Sequence, residues 1–421
     1  MIRLRAVALS FALLTLASPG FAAPSAVRAV GGVRLMEAME NAPAAAVVQV
    51  KTTRELPDGA FAAVMRVESP VVGDAAIGTL LNVAWEERSR SRAPRFATGE
   101  RVLVVLESLS GASIWLSRLP DPKERSTTLG VAMRGDAFLR NPSLGTANLL
   151  EHYLALAAAD RAGANGVGYL AQLVAAAEVP LAIDVVARLD TRGELDAKLG
   201  PGGALQLTAA LVRDDGTEAL QDSLVALIGR HRLVSMQVPL EALAANAERL
   251  PPPVVYTALA RLEGGFSPER TAQLLAQGGE RYRQVGARHA GGDKAPHELR
   301  SLARRDPSSK VRISALERLV ELRGDGAIET LGDALADSEP TVRAAAAIQL
   351  GALGSAAVPD LVRITEAGET EAARAAIVAL ALTGSAEGSA ALQEIAEWHS
   401  DESLRGLAKI SLGQEIGDTH D

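Results

Sequence analysis

Asp337-Ser338-Glu339-Pro340-Thr341-Val342-Arg343-Ala344-Ala345-Ala346 is the stretch whose reading decides the fold. Asp, Ser and Glu ahead of a proline make a helix start. The polar side chains supply capping oxygens, and proline in the first turn lacks only an N–H that would have no intrahelical partner. Val342, Ala346 and Leu350 then recur at four-residue steps on one face, so a first helix is expected over Pro340 to Leu353. Gly354-Ser355 breaks it. A second helix is expected over Ala356 to Thr365, with Val358, Leu361 and Val362 turned inward.

Working outward, the same unit recurs. Arg312, Arg343, Arg374 and Arg405 stand 31 residues apart. Val311, Val342, Ala373 and Leu404 precede them, and Ala315, Ala346, Ile377 and Ala408 follow three positions later. Leu319, Leu350 and Leu412 close the first helix seven positions on, while the third unit slips by one residue and uses Leu380. Equivalent second helices are expected at Ala327 to Ala336 and Ala386 to Trp398. Several columns agreeing at one period is the signature of a stacked repeat.

Asp337 to Ala346, and likewise Asp306-Pro307 through Val311-Arg312, resemble the short HEAT-like repeat, including the type named after phycobilisome lyases. The resemblance covers residues 306 to 413, and the chain looks like an exported bacterial member of that repeat family. The third unit departs from the pattern in lacking the leading Asp-Pro. The Trp/Tyr and Thr-Pro-Leu-His signatures of tetratricopeptide and ankyrin repeats are absent. The resemblance implies an α-α solenoid, with each column arginine meeting an acidic residue near a repeat junction. Asp306 and Asp337, six residues before Arg312 and Arg343, suit such a ladder; near Arg374 and Arg405 lie Glu369 and Asp401. The other reading of the column is a row of cations that binds an acidic partner. The resemblance also places exposed second-helix residues on a binding face, namely Asp333, Asp360, Arg363, Glu366, Gln393 and Glu397.

Upstream, residues 144 to 305 read as degenerate helical hairpins. Alanine-rich helical segments are expected at 147–159, 169–177, 181–189, 204–211, 218–228, 240–250 and 254–262. Gly200-Pro201-Gly202, Asp214-Asp215-Gly216 and Pro251-Pro252-Pro253 punctuate them. Residues 44 to 135 read as β. Val48 and Val50, Met65 and Val67, and Leu81, Val83 and Trp85 alternate with polar neighbours. Val102 to Leu106 is an unbroken apolar run, as in a strand buried on both faces. Ile114 and Leu116, then Leu129, Val131 and Met133, suggest two more strands. A small antiparallel barrel or sandwich is expected, loosely reminiscent of small barrels that precede helical repeats in secreted bacterial proteins. Its basic run Arg88, Arg90 and Arg92 would share one side of an extended chain. It reads either as a contact for phosphate, anionic glycan or acidic protein, or as a solvated hairpin tip.

At the N-terminus Arg3 and Arg5, the apolar run Ala6 to Ala17, and small residues at Gly20, Ala22 and Ala23 have the three-part form of a signal peptide. The expected organisation is a signal at 1–23, a β domain at 24–143, helical hairpins at 144–305, repeats at 306–413 and a tail at 414–421. A periplasmic or secreted location follows, with no membrane insertion after cleavage. The balance of 43 Lys and Arg against 51 Asp and Glu, with 3% aromatics, argues against nucleic acid as a partner. There is no cysteine, which excludes disulfides and thiolate chemistry.

Chemistry-bearing patterns are sparse. His289, Asp293, His297 and Glu298 have helical steps, but Gly291-Gly292 and Pro296 interrupt them, and a solvated linker is expected. Gly163-Ala164-Asn165-Gly166-Val167-Gly168 lacks the order of a dinucleotide loop and reads as a helix–helix turn. No serine-hydrolase elbow, Walker lysine or His-Glu-x-x-His occurs. No cofactor or metal is expected. The reading is a non-catalytic interaction protein of the cell envelope that binds another protein through its solenoid. The alternative is an enzyme or chromophore-lyase-like protein on the same scaffold.

Overall fold

The computed structural model describes residues 35–56, 60–86, 95–108, 128–131, 137–245, 251–276, 279–367 and 369–413. The expected signal segment, Arg88, Arg90 and Arg92, the expected strand at Ile114 and Leu116, and the tail 414–421 lie outside them. The chain divides into two compact units, Ala23–Leu262 and Glu263–Asp421.

The first unit opens with α1 (Leu35–Glu40), followed by β1 (Ala44–Glu55), β2 (Ala60–Val72), β3 (Leu80–Glu86), β4 (Arg101–Ser108), β5 (Thr128–Val131) and β6 (Phe138–Arg140). The strands form one sheet in the order β1-β2-β3-β5-β4-β6, and β4 also pairs back to β1. Every pairing is antiparallel except β3–β5, which is parallel over three residue pairs. Period two explains how the sheet works. Val48, Val50, Met65, Val67, Val83, Trp85, Val102, Val104 and Leu106 line its inner side. There Trp85 stacks on Phe61 at 5.8 Å and meets Phe96 at 5.2 Å. Ala45, Val47, Leu103 and Val105 point the other way, into a core shared with helices. The run Val102 to Leu106 is thus buried on both faces, as its composition requires.

Those helices are α2 (Leu144–Ala155), α3 (Ala158–Ala162), α4 (Ala164–Ala176), α5 (Val179–Asp190), α6 (Leu195–Leu211), α7 (Glu218–His231), α8 (Gln237–Ala244) and α9 (Pro253–Glu263). Ser143 caps α2 by accepting the Thr146 N–H at 3.0 Å. Because the outward face of β1 and β4 packs in the core of α2 to α9, no core boundary falls at 143/144. Helix α1 is fastened to this layer by polar contacts. Asp184 accepts the Met36 N–H at 2.7 Å, and Glu40 accepts both the Tyr153 hydroxyl at 2.7 Å and the Arg188 guanidinium.

Gly200-Pro201-Gly202 punctuates α6 as expected: Gly200, at φ 59° and ψ 175°, is non-helical and divides it into two helical stretches, in a conformation that costs glycine least. One local expectation needs correction. Gly163 to Gly168 is a turn only at Gly163, and the rest opens α4. Glycine is required at 166 because a Cβ there would lie 2.1 Å from the Arg161 carbonyl oxygen.

The second unit contains α10 (Pro268–Ala276), α11 (Glu280–Arg288), α12 (Ala295–Arg305), α13 (Ser309–Arg323), α14 (Ile328–Ala334), α15 (Pro340–Ala352), α16 (Val358–Ala367), α17 (Thr370–Leu382), α18 (Ala386–Trp398) and α19 (Glu402–Ser411). First helices α11, α13, α15, α17 and α19 pack successively on one another, and α12, α14, α16 and α18 are the second helices. The repeat columns are the core: Val311, Ala315 and Leu319, then Val342, Ala346 and Leu350, then Ala373, Ile377 and Leu380, then Leu404 and Ala408. A 3₁₀ turn, Gly354–Ala357, joins α15 to α16 where Gly354-Ser355 marks a break.

Alanine and glycine set how closely first helices approach. A Cβ on Gly351 would fall 2.5 Å from Leu382 Cβ and 3.2 Å from its backbone carbon. Gly351→Ala should therefore force α15 and α17 apart and destabilise the repeat unit by about 1–3 kcal/mol. Urea unfolding of wild type and variant measures this, and an unchanged midpoint would contradict the close approach.

Candidate interaction surface

The junctions between repeats come first, because they decide which charged groups are left for a partner. At each junction a helix ends and another begins, leaving backbone groups without intrahelical partners. Arg312, only 8% exposed, settles one junction with its whole guanidinium. Its NH1 donates to the Asp306 carbonyl at 2.8 Å, while Nε and NH2 donate to the two Asp337 carboxylate oxygens, both at 2.8 Å. Asp337 Oδ1 also accepts the Glu339 N–H at 2.8 Å, fixing the start of α15. One junction upstream the pattern repeats. Arg283 forks onto Asp306 at 2.9 and 3.1 Å, and Asp306 accepts the Ser308 N–H at 2.9 Å.

Each aspartate therefore takes the arginine of the preceding repeat through its carboxylate and the arginine of its own repeat through its carbonyl. The spacing of six residues suggested the second link; the first runs across 25 residues, from Arg312 to Asp337. Arg283 continues the ladder one repeat above Asp306. The sequence does not mark it because it breaks the 31-residue step, standing 29 residues before Arg312.

Downstream the ladder thins. Arg343 donates to the Asp337 carbonyl at 2.8 Å but finds exposed Glu371 at 3.2 Å as its carboxylate. Arg374, 49% exposed at its side chain, has Glu371 at 3.8 Å as its one ion-pair partner among the described residues, and Glu369 gives no side-chain cap. Six residues before Arg405 stands His399 instead of aspartate. Its Nδ1 accepts the Asp401 N–H at 3.1 Å, its Nε2 donates to the Thr365 carbonyl at 3.1 Å, and its carbonyl accepts Arg405 NH1 at 2.7 Å. Asp401 is the N-cap of α19, its carboxylate accepting the Ser403 N–H at 2.7 Å and its carbonyl accepting the Arg405 backbone N–H at 3.1 Å. The arginine column is thus committed to the scaffold at Arg312, Arg343 and Arg405 and loosely held at Arg374.

Second-helix residues are outward. Asp333, Arg363, Glu366, Gln393 and Glu397 are exposed, and Asp360 is half-buried. Asp333 is bound by Arg304 at 2.5 Å and Asp360 by Arg363 at 2.8 Å. Trp398, at the end of α18, is 79% exposed. In the sequence it is the last residue of an expected second helix, and nothing in the periodicity marks its ring as outward. The histidine group does not assemble. His289 ends α11 with its ring edge-on to Phe266 at 5.6 Å, while exposed His297 belongs to α12. Among the described residues no three His, Asp or Glu side chains converge as a metal site, and no helix is long and apolar enough to cross a membrane.

Within these stacked helix pairs, residues 296–381 match the family model for HEAT repeats. No curated protein matches the chain. Among solved structures, human deoxyhypusine hydroxylase in complex with glycerol is 17% identical, with a TM-score of 0.25 over 59% of this chain and 96% of that one. An engineered protein is 18% identical, with a TM-score of 0.28 over 59% of this chain and 78% of that one. At these scores neither neighbour assigns an activity to this chain.

Two predictions follow from the junctions. Arg312→Ala strips the guanidinium from the largely buried Asp337 carboxylate, which keeps the Glu339 N–H, and from the Asp306 carbonyl, and should cost about 2–3 kcal/mol; Arg374→Ala should stay within about 0.5 kcal/mol. Comparable losses for both in thermal unfolding would refute the graded ladder. For Asp306, burial pushes the carboxyl up, but hydrogen bonds from Arg283 and the Ser308 N–H, with the charges of Arg283 and Arg312, outweigh it. The net pKa lies below the ordinary 3.8. A depressed folded pKa stabilises above the unfolded value and is lost as pH falls through the folded one. The stability gap between wild type and Asp306→Asn should be full near neutral pH and shrink once the pH drops below 3.8. A gap that is constant with pH would show that Asp306 is not held ionised.

Proposed function

We propose that this chain is a non-catalytic interaction protein of the bacterial cell envelope, exported by the segment 1–23 and binding another protein along the second-helix face of its HEAT repeats. One observation carries the reading. The charged groups that the repeats bury are consumed in the junctions, whereas Glu366, Gln393 and Glu397 are exposed on successive second helices and engage nothing among the described residues. Repeat stacking turns such positions into an extended surface suited to docking a protein chain. The loosely held charges Asp360 and Arg363 lie on the same layer.

Crosslinking in intact cells, followed by purification of the mature protein from the periplasmic fraction, tests this. One stoichiometric envelope partner should be recovered, and its yield should fall at least about ten-fold with Asp360→Lys, Glu366→Lys and Glu397→Lys combined, since like-charge contacts cost several kcal/mol. A purified protein that retains a pigment or turns over a small molecule, without a partner, overturns the reading.

A further inference from the structure

The charge of the repeat unit is distributed unevenly along the sequence. Residues 263–323 hold 12 Lys and Arg against eight Asp and Glu, whereas residues 325–413 hold five against 14. The second helices α14, α16 and α18 are the extreme, with seven carboxylates and one cation, Arg363. Arg304 and Arg363 compensate Asp333 and Asp360. Glu366, Glu387, Glu394 and Glu397 are exposed and form no ion pair among the described residues.

Trp398 is an independent observation on the same helix. Of the two described tryptophans, Trp85 is 1% exposed in the sheet interior and Trp398 is 79% exposed. Packing does not need its ring, because the buried side of α18 is made by Ala391, Leu392, Ile395 and Ala396. Glu394 lies four residues before it, on the same side of the helix. An open indole beside carboxylates that lack a cation is a receptor for a positively charged side chain, held by ring face and ion pair together.

We infer that this second-helix face docks a cationic, extended segment of a partner protein, with a lysine or arginine of that segment over Trp398 and further basic side chains along Glu394, Glu397 and Glu366. The inference rests on the scaffold reading and adds the chemistry of the partner. The sign of the face disfavours nucleic acid and anionic lipid, which its carboxylates repel.

The test uses the mature full-length protein and fluorescein-labelled nona-arginine, with nona-glutamate as control, followed by anisotropy at low and high salt. Nona-arginine should bind and weaken steeply with salt, while nona-glutamate should not bind. Trp398→Ala should weaken binding about three-fold. The pair Glu394→Gln and Glu397→Gln should weaken it about ten-fold at low salt. These surface changes should leave Tm unaltered. Asp214→Asn with Glu218→Gln, in the other unit, should bind as wild type. No binding, or an equal loss in the control pair, overturns the inference. A cellular partner whose capture survives Trp398→Ala and the double glutamine variant also overturns it and leaves the scaffold reading standing. Absence of any cellular partner, with peptide binding that tracks Trp398, sinks the scaffold reading and supports the cation site.

Discussion

A guanidinium that serves two repeats at once is the constraint on which the second unit depends. Arg312 holds the carbonyl of its own entry turn and the carboxylate of the next repeat's entry turn, with 2.8 Å contacts to both. Only a planar cation with several fixed donors can do this, since lysine is a single point charge and cannot fork. The contact solves a problem inherent to helical repeats. Every junction leaves polar backbone near the core, where an unpaired group costs about 1–3 kcal/mol. The alanine and leucine columns supply burial, but they do not specify how one helix pair is set against the next. The arginine and aspartate do.

The same logic explains where the repeat was legible and where it was not. Arg312 and Arg343 are visible because the columns around them, Val311 and Val342, Ala315 and Ala346, keep step and form the core. The 31-residue interval is a length of chain that returns to an equivalent place. Arg283 occupies that place too, but its junction is two residues tighter, and Val285, Gly286 and Ala287 around it do not resemble the columns downstream. Sequence pattern follows the apolar face, whereas ladder membership is a matter of three-dimensional reach. The partner of Arg312 was invisible for the same reason: six residues upstream is a local relation, whereas 25 residues downstream appears only once α13, α14 and α15 are folded.

In the first unit the alternation of Val48, Val50, Met65 and Val67 identified strands correctly because an inner sheet face imposes period two. Strand pairing is another matter. Nothing in the residues of β5 indicates that it runs parallel to β3, since parallel and antiparallel partners ask the same of such short strands. The outer face of β1 and β4 was harder still. Val47, Leu103 and Val105 could have faced either a second sheet or a helical layer, and composition alone treats those as equivalent. The helices α2 to α9 resolve the choice, and so the break in texture at residue 144 is a change of secondary structure without a change of core.

The exposed surface follows from the ladder by subtraction. Where the ladder is complete, at Asp306 and Asp337, acid and base cancel within the scaffold. Where it thins, the acids remain: the third unit lacks the leading Asp-Pro, Arg374 meets a distant Glu371 at 3.8 Å, and His399 stands where the column would place an aspartate. His399 is the telling case. It reproduces the backbone duties of the aspartate, accepting the Asp401 N–H and offering its carbonyl to Arg405, yet brings no negative charge into the junction. Apart from Glu371, which holds Arg343, and Asp401, which caps α19, negative charge in this region sits largely outside the junctions, on α16 and α18 at Glu366, Glu387, Glu394 and Glu397. Carboxylates inside a junction are neutralised by geometry and cannot attract a partner, whereas carboxylates on an outward helix face can. The weakening of the ladder and the acidity of the neighbouring surface occur in the same repeats. There the outward row is separated from the structural charges, so that altering it need not disturb how the helices stack.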